Sequence, residues 1–126
     1  MTLIFDAGAF VALEREDRAM WRRLKAAQQA GMPPITHGGV VAQVWRGGTG
    51  RQALLARAFQ GIEVAPLGDE LGRRAGVLLA RCGLSDAIDA SVAALASHGD
   101  QIMTSDPDDL AALIEASGWR VDVIPS

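Results

Sequence analysis

The sequence has few of the side chains that form disulfides or zinc sites. Its 126 residues include one cysteine, Cys82, and two histidines, His37 and His98. One cysteine cannot form an internal disulfide, which fits a reducing compartment, and we expect a cytoplasmic protein. A zinc site gathers about four cysteine, histidine or carboxylate ligands, and these three scattered residues do not indicate one.

Long hydrophobic runs are also missing. No segment approaches the ~18 uninterrupted apolar residues that a membrane span requires, and the first residues show no signal-peptide pattern. We therefore expect no membrane partner. Apolar residues still make up 49% of the chain, which favours an ordered globule over a disordered chain. The length predicts one domain over residues 1–126, large enough to bury a single core.

Positive charge is absent from one part of the chain. Between Cys82 and Trp119 there are seven acidic residues and no Lys or Arg. Two like charges about 4 Å apart repel by roughly 4 kcal/mol at an effective dielectric of about 20. Where carboxylates lie together without cations, their repulsion therefore has to be reduced by solvent or by a divalent metal.

The remaining charge is unevenly distributed. Residues 1–81 hold eleven Lys and Arg against seven acids, whereas residues 82–126 hold one against eight. The net charge of −3 provides no global basic field for nucleic acid. A basic N-terminal part followed by an acidic C-terminal part is as consistent with a polyanion held near a metal site as with a chance distribution of charge.

The arginines are interpreted mainly as surface residues. Arg15, Arg18 and Arg22 share one face of a helical segment, which is more typical of a solvated face than of a binding surface. Arg57 lies in a later helix. The glycine-rich segment Gly47–Arg51 lacks the Lys-Ser/Thr ending of a phosphate loop and follows a helical stretch, so it predicts a break between helices.

Short apolar strands alternate with helical segments. Strands are expected at Leu3–Phe5, Ile62–Ala65, Gln101–Met103 and Trp119–Ile124, with extended backbone before Ile35. Helices are expected at Phe10–Ala30 (in one or two pieces), Val40–Arg46, Gln52–Gln60, Asp69–Arg81, Asp86–Ser97 and Pro107–Ala116, with Thr36, Ser85 and Asp106 as N-caps. The alternation predicts an α/β fold, a three-layer α/β/α sandwich around a mainly parallel sheet of about five strands.

Four aspartates are the candidate site residues. Asp6 and Asp106 follow predicted strands, and in parallel sheets ligands bind at the carboxyl ends of the strands. Each also suits the cap of the next helix. Asp86 and Asp89 lie one helical turn apart on a helix that is apolar nearly all round, so Asp89 is expected to be shielded from water. A buried carboxylate has to be paired, protonated or metal-bound.

Four segments in this order resemble the PIN-domain ribonuclease family, whose VapC-type toxins are single-domain members. They are LIFDAGA at 3–9, VVAQVWR at 40–46, SDAIDASVAALA at 85–96 and IMTSDPDDL at 102–110. The resemblance covers the whole chain. It implies a PIN-like fold and an RNA phosphodiester as substrate, cut with Mg²⁺ or Mn²⁺.

The resemblance also implies roles for particular residues. Asp6, Asp86 and Asp106 would be metal ligands, Asp89 would compete with Asp86 or join it as a catalytic residue, and Asp109 would assist as an outer ligand. It further implies a type II toxin–antitoxin pair, with a small antitoxin protein as partner and a homodimer as the expected assembly.

The chain departs from the family at Gln43, where the family usually has Glu. Gln keeps the shape and hydrogen bonding but removes one negative charge, which Asp89 would replace. The alternative function is therefore a PIN-like binding or regulatory module with a weakened site. A receiver-type phosphoacceptor domain also clusters aspartates, but it needs a late-strand lysine, and the only lysine here, Lys25, lies in the first helical region.

Overall fold

The computed structural model describes residues 1–126 and contains one five-stranded sheet with helices on both faces. The strands are β1 (Leu3–Phe5), β2 (Ile35–His37), β3 (Glu63–Ala65), β4 (Gln101–Thr104) and β5 (Asp122–Pro125). The helices are α1 (Ala7–Glu14), α2 (Arg18–Gln29), α3 (Gly38–Val44), α4 (Ala53–Phe59), α5 (Asp69–Cys82), α6 (Ala87–Leu95) and α7 (Pro107–Ser117), with a 3₁₀ turn at Gly50–Gln52. None of the helices combines the length and apolar character that a membrane span needs.

The five strands are all parallel, in the order β3-β2-β1-β4-β5. Ile4 in the central strand pairs with Ile35 on one side and with Ile102 on the other. The predicted α/β/α sandwich is confirmed, and the sheet is wholly rather than mainly parallel. Because the strands run in one direction, all five carboxyl ends lie along one edge, which we call the carboxyl edge.

The core lies on both faces of β1 and β4. All three residues of β1 are buried, as are Ile102 and Met103 of β4. Together with side chains from the helices they belong to a cluster of 23 buried apolar residues. A parallel sheet covered on both faces needs continuous apolar strands, which explains why these two short runs were recognisable in the sequence.

The segment between Pro34 and Val40 differs from the prediction. Thr36 was expected to cap the third helix, but it lies inside β2, where its hydroxyl donates to the carbonyl oxygen of Phe5 at 2.8 Å. His37 takes the N-cap position of α3 instead, and its Nδ1 accepts from the N–H of Gly39 at 3.0 Å. The cross-strand bond of Thr36 holds this residue in extended backbone, so the cap lies one residue later than expected, and the helix begins at Gly38 rather than at Val40.

The expected N-cap at Ser85 is also wrong by one residue. Asp86 caps α6, because its Oδ1 accepts from the N–H groups of Ile88 and Asp89 at 2.9 and 3.0 Å. Both Ser and Asp are good N-caps, and the carboxylate oxygen accepts both free N–H groups here. The helix then ends at Leu95 rather than at Ser97.

The first helix begins at Ala7 rather than at Phe10, and most of the remaining boundaries lie within two residues of the predictions. The long N-terminal helical segment divides into α1 and α2 at Glu16, whose φ of 63° lies in the left-handed region. Asp17 then caps α2 by accepting from the N–H of Met20 at 2.9 Å. The break between helices at Gly47–Arg51 is confirmed. The last strand, at one edge of the sheet, begins at Asp122 rather than at Trp119.

Candidate metal centre

Asp6 joins β1 to α1 at the centre of the carboxyl edge. Its side chain is 4% exposed, and both of its oxygens accept hydrogen bonds. Oδ1 accepts from the N–H of Ala7 at 2.7 Å, which caps α1, and Oδ2 accepts from the hydroxyl of Thr104 at 2.7 Å. The cap interpretation of Asp6 is therefore right, and it leaves a negative charge fixed at the centre of the edge.

Thr104 connects two of the predicted aspartates. Besides donating to Asp6, its hydroxyl accepts from the backbone N–H of Asp106 at 3.0 Å. Thr104 is fully buried at the end of β4, so this hydroxyl fixes the turn that presents Asp106. No role was predicted for Thr104 from the sequence, although its place two residues before an aspartate at a strand end was the available signal.

Asp106 occupies the N-cap position of α7 but does not use its side chain as a cap. It is exposed, and Pro107 follows it as the first helical residue. Proline has no N–H to donate, so the first turn of α7 has one N–H group fewer that needs a capping acceptor. The carboxylate of Asp106 is therefore available to a ligand.

The carboxylates of Asp89, Asp106 and Asp109 converge on one point of the carboxyl edge. Each offers one oxygen, and these three oxygens lie within 4.8 Å of one another. Asp89 comes from the first turn of α6, whereas the other two come from the start of α7, one helical turn apart. We call these three residues the acidic cluster.

Crowding changes the protonation of this cluster. Burial, together with the charges of Asp6, Asp86, Asp106 and Asp109, raises the pKa of Asp89 from 3.8 to about 7. The neighbouring charge of Asp106 likewise raises the pKa of Asp109 above its ordinary value. Asp89 is 7% exposed, so little water can solvate the charge of its carboxylate.

The donor set fits a hard divalent cation. Mg²⁺ prefers oxygen ligands at about 2.1 Å, so ligands on opposite sides of one ion lie about 4.2 Å apart. Neighbouring ligands of an octahedral ion lie about 3.0 Å apart, so three carboxylate oxygens within 4.8 Å would hold one ion by moving closer together. A cation would also offset the repulsion that raises the pKa of Asp89.

The other predicted site residues occupy different positions. Asp86 is exposed, and its Oδ1 is engaged in capping α6. Asp6 and Asp86 are outside the acidic cluster, but both are close enough for their charges to act on Asp89. Gln43 is exposed on α3, which begins at the same edge of the sheet. The predicted ligand set Asp6, Asp86 and Asp106 remains a prediction.

Positive charge gathers elsewhere, between α2 and α4. Two adjoining clefts of about 610 and 570 Å³ share Trp21 and Arg57 in their walls. Their other basic residues, all exposed, are Arg15, Arg18, Arg22 and Lys25. The single salt bridge of the structure joins Arg73 to Asp69, so these five cations lack carboxylate partners. We call this region the basic cleft.

Comparisons with known proteins establish the fold alone. No protein-family model matches the chain, and no curated protein matches it significantly. Among solved structures, the chain is similar to one in the crystal structure of VapBC2 from Rickettsia felis bound to a DNA fragment from their promoter. The TM-score is 0.68 at 12% sequence identity, over 98% of each chain. The expected PIN-like α/β fold, of the kind found in VapC toxins, is thereby confirmed.

Proposed function

We propose that this chain is a metal-dependent endoribonuclease and the toxin of a type II toxin–antitoxin pair. The observation that carries the proposal is the acidic cluster: three carboxylate oxygens from two helices lie within 4.8 Å, and the pKa of Asp89 is raised to about 7. Crowded carboxylates at the carboxyl edge of a parallel sheet suit a divalent cation more than any other ligand.

The acidic cluster would hold Mg²⁺ or Mn²⁺, with Asp6 and Asp86 as the further predicted ligands. When bound, such an ion neutralises charge on a phosphodiester and makes a water molecule easier to deprotonate. The chain's own residues prepare the site. Thr104 orients Asp6 and the turn at Asp106. With its pKa raised to about 7, Asp89 is partly protonated at neutral pH and would give up that proton when a cation binds.

Cleavage of a mixed RNA pool tests this function. We expect cleavage with Mg²⁺ or Mn²⁺, no cleavage in EDTA, and loss of cleavage in Asp6→Asn and Asp106→Asn. Asp108→Asn is the matched control, because Asp108 is an exposed aspartate of the same helix start but is outside the acidic cluster. Absence of metal-dependent cleavage, or full cleavage in both variants, would contradict the proposal.

An antitoxin partner is supported by the structural likeness to a VapBC2 complex. We propose that a small protein encoded next to this chain binds it and blocks the acidic cluster. Co-expression of the two should yield a stable complex that no longer cuts RNA. Light scattering of the free chain tests the expected homodimer independently, since a dimer has twice the mass of the 13.3 kDa chain.

Gln43 supports the second candidate function, a PIN-like binding or regulatory module. It places an uncharged side chain where the family has a carboxylate, which weakens attraction for a cation. Under this alternative the wild-type chain binds RNA without cutting it, and Gln43→Glu restores metal-dependent cleavage. Under the leading proposal wild type already cuts.

A further inference from the structure

His37 is fully buried at the end of β2, and its ring makes two hydrogen bonds. Nδ1 accepts from the N–H of Gly39 at 3.0 Å, and Nε2 donates to the carbonyl oxygen of Ile88 at 3.1 Å. A backbone N–H only donates and a carbonyl only accepts, so a neutral ring with its hydrogen on Nε2 satisfies both. Burial lowers the pKa of His37, although the Ile88 carbonyl and Asp6 act in the opposite direction.

The three residues that share these bonds are also closely packed. A Cβ atom added to Gly39 would lie 2.5 Å from Cδ1 of Ile88 and 2.8 Å from Cε1 of His37. Both separations are shorter than real carbon contacts allow, so a side chain at position 39 would force the Ile88 side chain and the His37 ring to shift. We call His37, Gly39 and Ile88 the His37 joint. It connects the end of β2, the first turn of α3 and the first turn of α6.

The joint provides the hydrogen bond that ties α6 to the rest of the protein. The other side-chain hydrogen bonds of α6 are local: Asp86 accepts from N–H groups of the first turn, and the hydroxyl of Ser91 donates to the carbonyl of Ala87. Apolar contacts hold a helix against a sheet but are non-directional. The bond from His37 to Ile88 therefore fixes the first turn, and Asp89 is the next residue along it.

We propose that His37 is a positioning residue for the acidic cluster, setting the place of Asp89 relative to Asp106 and Asp109. It acts through Ile88 and touches neither substrate nor cation. This inference rests on the proposed function in one respect, since it assumes that the acidic cluster binds a divalent cation. Removing a residue that orients a metal ligand typically lowers metal affinity about 10- to 100-fold.

Two substitutions separate the two bonds of the ring. In His37→Asn the side-chain oxygen replaces Nδ1 as the acceptor for Gly39 but cannot reach Ile88. In His37→Gln the amide nitrogen reaches the place of Nε2 and donates to Ile88, while the cap is lost. We expect Mn²⁺ affinity to fall about 10-fold in the Asn variant and to stay within about threefold of wild type in the Gln variant. Equal losses in both, or none in either, would overturn the proposal.

A glycine pair tests the joint without changing His37. Gly39→Ala forces Ile88 and the ring apart, and we expect a loss of Mn²⁺ affinity similar to that of His37→Asn. Gly38→Ala is the matched control, because an added Cβ there meets nothing within 4 Å, and we expect affinity unchanged. If Gly39→Ala binds Mn²⁺ as wild type does, the joint does not position the cluster.

Amide hydrogen exchange tests the inference without any metal. The N–H of Ala90 bonds to the carbonyl of Asp86 at 3.0 Å and reports on the first turn of α6. We expect its exchange to be at least about tenfold faster in His37→Asn and close to wild type in His37→Gln. Absence of Mn²⁺ binding in wild type would contradict the proposed function alone, whereas unchanged exchange in His37→Asn would contradict the role of His37.

Discussion

The acidic cluster and the basic cleft differ in crowding: the first gathers three carboxylates at one point, whereas the second spreads five cations and Glu16 along two clefts. The five cations of the basic cleft are exposed along two open clefts, where water can solvate each of them. The three carboxylates of the acidic cluster have oxygens within 4.8 Å, and Asp89 is 7% exposed. Excess charge by itself can therefore remain solvated, whereas crowded and buried charge has to be paired, protonated or metal-bound.

The largest expected effect is on metal binding by the acidic cluster. Asp89→Asn and Asp106→Asn each remove one of three converging charges, and we expect Mn²⁺ affinity to fall about 100-fold or more, measured by calorimetric titration. Asp108→Asn should bind within about threefold of wild type. If it weakens binding as strongly as the other two, acidity of the whole region matters rather than crowding at one point.

The pH dependence of stability follows from the raised pKa of Asp89. Between its ordinary pKa of 3.8 and its folded pKa of about 7, the folded state retains a proton that the unfolded state has released. Stability of the metal-free protein should therefore fall as pH rises through this window, by about 2 to 4 kcal/mol in total. Denaturant unfolding in EDTA at pH 4.5 and 7.5 measures this change.

Asp89→Asn provides the control for that pH dependence. Asparagine does not titrate, so the fall in stability across the window should largely disappear, and the variant should exceed wild type in stability at pH 7.5 without metal. A wild type whose stability rises from pH 4.5 to 7.5 would show that crowding at Asp89 is weaker than the structure indicates.

A more moderate effect is expected from adding negative charge at position 43. Gln43→Glu places a carboxylate on α3, and we expect Mn²⁺ affinity to rise by about tenfold, together with a further increase in the pKa of Asp89. NMR titration of the Asp89 carboxyl carbon measures the pKa. If neither quantity changes, the side chain at position 43 is too far from the cluster to replace the family's glutamate.

The smallest effects are expected in the basic cleft. Arg22→Gln and Arg57→Gln remove solvated cations, so the free energy of unfolding should change by less than about 0.5 kcal/mol. Mn²⁺ affinity should stay within about twofold of wild type. Chemical denaturation and calorimetry check both values. A loss of more than about 1 kcal/mol would mean that these cations have partners that the open clefts do not provide.

The sequence predicted those parts of the site that depend on local pattern. Asp6 and Asp106 follow apolar runs, and chain direction in a parallel sheet brings strand ends to one edge. The burial of Asp89 followed from the apolar character of its helix. The proximity of Asp109 to Asp106 also follows from helical spacing, since residues three apart share a face.

The contacts that the sequence did not reveal join distant parts of the chain. The hydroxyl of Thr104 and the carboxylate of Asp6 are 98 positions apart, and His37 and Ile88 are 51 apart. No periodic pattern in the sequence indicates that residues so far apart along the chain are in contact. The expected caps at Thr36 and Ser85 were each wrong by one residue. The tertiary hydrogen bond from Thr36 to Phe5 decided the first, whereas at the second the neighbouring Asp86 accepts the free N–H groups locally.

The most direct test of the central claim is the number of protons released when Mn²⁺ binds. Calorimetry in buffers of different ionisation enthalpy measures this number at each pH. With a folded pKa of about 7 at Asp89, binding at pH 6 should release roughly 0.9 proton per ion and at pH 8 roughly 0.1, and Asp89→Asn should abolish the difference. No binding, or a proton release that does not change with pH, would contradict the account.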